Sequence, residues 1–125
     1  FSKIMQDNIK HSHDIYKDKN SCDLLESILI KFRDLAYERG HKIMLLVMPQ
    51  LIDIKLINKQ GYIPYDDFFS EINNKIPVLD LTSYLKSGNI KGLYTEDIYG
   101  GHFSELGNKL VADKVSDYLK KASLL

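Results

Sequence analysis

The residues best suited to chemistry in this chain are crowded between Leu93 and Asn108. Glu96, Asp97, Gly100, Gly101 and His102 share one short loop, and Ser104 stands ready as the N-cap of a closing helix. An imidazole held beside a carboxylate is the arrangement a general base needs, because the acid fixes the ring tautomer and favours its protonated form during turnover. Asp97 lies five positions before His102, a separation that a glycine loop can fold back upon itself. Its short side chain orients an imidazole more tightly than that of Glu96, which stays open as the alternative acid. Gly107 sits in the first turn of the helix, where it costs about 1 kcal/mol of helix propensity against Ala. Such a cost points to close packing at that position.

Other reactive side chains are weaker candidates. His11, His13 and Asp14 have a spacing that could hold a metal, yet their polar surroundings favour solvent-exposed histidines, and no metal is assigned. Asp80 ends a short apolar run and reads as a hydrogen-bonded carboxylate at a strand end. Cys22, the single cysteine, excludes an internal disulfide and reads as an incidental small residue; its presence leaves the compartment open.

The elements that must position the loop follow from periodicity. Phe1, Ile4, Met5 and Ile9 predict a short N-terminal helix, and residues 10–21 read as a polar loop. A longer helix follows, capped by Ser21 or Asp23, with Leu24, Leu25, Ile28, Leu29, Phe32, Leu35 and Ala36 as its buried stripe and Gly40 just past its end. Residues 43–48 are continuously apolar, the signature of a strand covered on both faces, and Pro49 stops it. Residues 51–63 fit either a strand or a short helix; 65–73 read as helix and 77–82 as a second strand. Ser104 to Lys121 forms the last helix, with Leu106, Leu110, Val111, Val115, Tyr118 and Leu119 turned inward.

Helix, glycine and buried strand form half of a βαβ unit, so the expected class is α/β with a parallel sheet of few strands flanked by helices. The 125 residues make one domain, a polar segment over 1–21 and a core over 22–121, and the 44% hydrophobic content can supply that core. Seventeen basic residues balance seventeen acidic ones, and no basic stripe invites nucleic acid. No apolar run approaches the ~18 residues of a membrane span. Two strands alone make a marginal sheet, so self-association through an exposed strand edge is expected.

The block DIYGGHFSELGNKLVA, Asp97 through Ala112, resembles the last signature block of the SGNH/GDSL hydrolases. The order around it is similar as well: helix, a strand ending in Pro (LLVMPQ), an insertion, a strand with Asp (PVLDLT), the loop and a final helix. The likeness covers roughly residues 22–121, with its specificity concentrated in 94–112. It implies a flavodoxin-like, three-layer α/β/α fold of which this chain forms part. It also implies an ester hydrolase or O-acyl esterase or transferase in which His102 activates a serine and Asp97 orients His102. The substrate would be an acyl ester, an acetylated carbohydrate by family analogy, with no cofactor. The family's usual Asp-x-x-His spacing is shorter than the four residues between Asp97 and His102, which is why Glu96 stays open. The family's Gly-Asp-Ser and Gly-x-Asn-Asp blocks are not in the sequence. The chain therefore reads as the C-terminal part of such an enzyme, inactive alone. A non-catalytic α/β domain that binds a carbohydrate or a protein is the alternative.

Overall fold

The computed structural model describes residues 2–87, 90, 92–95 and 101–123. Its order is α1 (Ser2–Ile15), α2 (Lys19–Glu38), β1 (Leu45–Val47), α3 (Leu51–Gln60), α4 (Asp66–Ile72), β2 (Val78–Asp80), α5 (Thr82–Ser87) and α6 (Glu105–Lys121). The class is mixed α/β, mostly helical, around one small parallel sheet.

β1 and β2 pair in register, Leu45 with Val78, Leu46 with Leu79 and Val47 with Asp80. Backbone bonds close both ends of the ladder: Leu45 N–H donates to Pro77 at 2.8 Å and Leu81 N–H to Val47 at 3.1 Å. Leu45 and Val47 thus turn their polar groups toward β2, and Leu46 turns its own toward the opposite edge, where no described strand pairs. The expected strand over 43–48 is shorter, and its residues are only half-buried rather than covered on both faces. A strand with a single neighbour cannot be covered as an inner strand is.

The N-terminal region departs most from expectation. The polar loop read over 10–21 is largely helix, because α1 continues to Ile15 and α2 begins at Lys19. The cap of α2 is Asp18, earlier than Ser21 or Asp23; its carboxylate accepts from Ser21 N–H at 2.8 Å. At the other end Gly40 takes the left-handed φ of +72°. His41 N–H then returns to Ala36 at 2.9 Å, closing the helix as its glycine foretells.

The apolar stripe of α2 is split between two faces. Ala36 is buried and Leu25 and Leu29 are half-buried, whereas Leu24, Ile28 and Phe32 are 63%, 56% and 55% exposed and Leu35 is also exposed. The ambiguous segment after Pro49 is a helix, α3. Asp53 in its first turn accepts from Gln50 N–H at 2.8 Å, the return half of a capping box. Gly61, at φ +79°, ends it.

The core gathers Leu51 and Ile54 of α3, Leu79 and Leu81 around β2, Leu85 of α5, and Leu93 and Tyr94 ahead of the last helix. Leu110, Val111, Val115 and Tyr118 of α6 pack on it as expected, while Leu106 is exposed instead of inward. No described helix is long and apolar enough to cross a membrane.

Candidate functional site

The histidine loop is built on a narrow backbone ladder. Tyr94 and Phe103 form an antiparallel bridge, and Thr95 N–H donates to the His102 carbonyl at 2.7 Å. The rings of Tyr94 and Phe103 stack with centroids 4.9 Å apart. Ser104 caps α6, its hydroxyl accepting from Gly107 N–H at 3.1 Å and donating to the Gly92 carbonyl. The loop's two ends are therefore fixed immediately on either side of its reactive residues.

Two contacts tie this ladder to the carboxyl end of β1. Tyr94 donates its hydroxyl to the Pro49 carbonyl at 2.8 Å, and burial pushes that phenol up to about 12, with the charge of Asp53 adding to the effect. Gly101 lies against the first residue of α3: a methyl group there would stand 2.9 Å from Leu51 Cβ. Its φ of +77° independently requires glycine. Gly107 is tighter still, for a Cβ would sit 2.1 Å from the Leu93 carbonyl oxygen. The glycine that lowers helix propensity is there because the preceding turn lies against it.

His102 itself is exposed at the rim of this ladder. It directly follows Gly101, which lies against Leu51 at the start of α3. Its candidate acids, Asp97 and Glu96, lie outside the described residues. Asp80, the other carboxylate considered, is a local anchor. It accepts from Thr82 N–H at 2.8 Å and from Thr82 Oγ1 at 2.5 Å at the start of α5. Cys22, half-buried in α2, places its thiol 3.4 Å from the Tyr16 carbonyl.

The structure also assembles a pair that periodicity does not reveal. His13, expected in solvent, is 4% exposed, and its Nε2 lies 3.0 Å from Asp53 Oδ1. The two residues are separated by 40 positions, and the signal for each is local and faint: a histidine in a polar stretch, and an acid at the third position of a helix. Tyr65 stands edge-on to His13 with centroids 6.3 Å apart and shares a 2.9 Å hydrogen bond with Thr82. Burial raises the Tyr65 phenol far above its ordinary value, the Thr82 bond opposing the shift. Among the described residues, no three His, Cys, Asp or Glu side chains gather in a way that could hold a metal.

In comparisons with known proteins the chain matches no family model, no curated protein and no solved structure.

Proposed function

We propose that this chain supplies the histidine half of a serine ester hydrolase or O-acyl esterase or transferase site of the SGNH type. His102 is the general base in this reading and Asp97 its orienting acid, with Glu96 as the alternative. His102 takes the proton of a serine hydroxyl as it attacks the acyl carbonyl, then returns a proton to the departing alcohol. The nucleophile and the oxyanion donors belong to the missing Gly-Asp-Ser and Gly-x-Asn-Asp blocks, so the 125 residues alone do not turn over an ester. The fold in this reading is one part of a three-layer flavodoxin-like domain, its substrate an acylated carbohydrate.

The observation that carries the proposal is the attachment of the loop to the end of β1, through Tyr94 on Pro49 and Gly101 on Leu51. A surface histidine in an arbitrary helix-entry turn has no need of a backbone so closely seated. Labelling of the full-length protein with a fluorophosphonate tests the reading. A single labelled serine outside these 125 residues is expected, with labelling suppressed in His102→Ala. Absence of any labelled serine overturns it.

The second reading is a non-catalytic α/β domain that binds a partner. It is favoured by the missing serine block and by the apolar face that α2 turns outward at Leu24, Ile28 and Phe32. We propose self-association as the first such interaction, since that helix face is exposed and, among the described strands, β1 pairs with β2 alone.

A further inference from the structure

We infer that the cavity between α1, α2, β1 and α4 binds a small protonated amine with an apolar body, its ammonium group set against Asp53, Ser12 and Tyr16. The cavity holds about 440 Å³, within the range of small-molecule sites. Leu25 and Leu29 of α2, Val47 of β1 and Phe69 of α4 supply apolar wall for the body of such a ligand.

The polar part of the wall comes from the end of α1 and from the acid packed on it. Ser12 and Tyr16 both line the cavity and stand about one helical turn apart, with His13 between them in sequence. Asp53 lines it too, and its Oδ1 lies 3.0 Å from His13 Nε2, so the carboxylate and the two hydroxyls belong to one end of the cavity. The Asp53 side chain keeps 17% of its surface open, which leaves it within reach of a ligand.

That end offers acceptors and negative charge. The Asp53 carboxylate shares one bond with His13 and accepts one from Gln50 N–H at 2.8 Å, and a carboxylate has about four lone-pair sites. Ser12 donates its hydroxyl hydrogen to the Asn8 carbonyl at 3.0 Å, which leaves its own lone pairs to accept. No Lys or Arg is among the described residues lining the cavity, and a neutral His13 ring leaves the Asp53 charge uncancelled. Burial is the main cause raising the Tyr16 and Tyr65 phenols, and the Asp53 charge adds to the rise at both, so its field reaches both tyrosines of the wall. A carboxylate ligand would meet that charge with its own. An ammonium brings a positive charge and three donors to one carboxylate and two hydroxyls. No residue of the His102 loop takes part, so this binding and the ester-hydrolase reading can fail separately.

The test is a backbone proton–nitrogen correlation spectrum of the protein, titrated separately with hexylammonium, 1-hexanol and hexanoate, which share an unbranched six-carbon frame. The expected result is a saturable shift of the Leu29 and Val47 amides with hexylammonium. Its affinity should exceed that of 1-hexanol by at least about tenfold, with hexanoate weakest. Asp53→Asn keeps the shape of the side chain and an acceptor for Gln50 N–H, and should bring hexylammonium and 1-hexanol within about twofold of each other. No saturable shift with hexylammonium, equal affinity for 1-hexanol, or shifts confined to Ile28 and Phe32 on the exposed face of α2 would each overturn the assignment. So would a preference for hexylammonium that survives in folded Asp53→Asn. The first three outcomes are read on the unsubstituted protein and decide the matter even if the variant fails to fold.

Discussion

The Tyr94 hydroxyl donates to the Pro49 carbonyl at 2.8 Å across 45 positions of chain, and this bond joins the histidine loop to the end of β1. Neither partner is conspicuous in the sequence. Their pairing nevertheless decides where the loop is anchored, because Tyr94 bridges to Phe103, which directly follows His102.

That bond has a consequence at high pH. The Tyr94 phenol is pushed up to about 12, chiefly by burial and then by Asp53, from an ordinary value near 10. A folded value above the unfolded one means stability is fully present below about pH 10 and is lost as pH rises toward 12. Spectrophotometric titration should therefore show the Tyr94 and Tyr65 phenols ionising well above the usual tyrosine value near 10. Tyr94→Phe should remove one late-titrating group and flatten the alkaline loss of stability. At neutral pH it should cost about 1 kcal/mol for the bond to Pro49. Uniform titration of all eight tyrosines near the ordinary value would contradict this packing.

Gly107→Ala sets two effects against each other. Helix propensity favours alanine by about 1 kcal/mol. The added methyl, however, would lie 2.1 Å from the Leu93 carbonyl oxygen, a backbone atom that cannot swing aside. The clash should win, with a net loss of about 2 kcal/mol in urea denaturation. A neutral or stabilised variant would show that α6 does not meet the preceding turn so closely.

Self-association is expected from the exposed face of α2. Sedimentation velocity at high protein concentration should show a species larger than the monomer. Ile28→Glu combined with Phe32→Glu should return it to the monomer, because these residues, 56% and 55% exposed, then carry charge into any apolar contact. A unsubstituted chain that stays monomeric throughout would contradict the prediction.

What could be read from the sequence was what is decided locally. Ser104 and Gly107 mark the start of α6, Gly40 the end of α2, and Pro49 the end of β1, since caps and breakers act within one turn. The outward face of α2 could not be read. Leu24, Leu25, Ile28, Leu29, Phe32 and Leu35 cover a stripe wide enough to offer two faces, and only tertiary contacts choose Leu25 and Leu29. His13 was missed for the same reason. Composition makes 10–21 look solvated, but Asp53, brought near by the turn into α3, withdraws the ring from water. The α3 segment was ambiguous because Ile52, Ile54 and Leu56 alternate; the bond from Gln50 N–H to Asp53 marks its helical start. Of the candidate site, His102 has its backbone setting in the structure, whereas Asp97 and Glu96 lie outside the described residues.

If His102 is the base of an acyl-ester site, as we propose, then kcat for an acetyl ester, measured on the full-length protein, depends on that one imidazole. The expected result is measurable turnover that falls about 10⁴-fold or more in His102→Ala, with no turnover by the 125-residue chain alone. Undiminished turnover in His102→Ala, or none in the unsubstituted full-length protein, would contradict the claim.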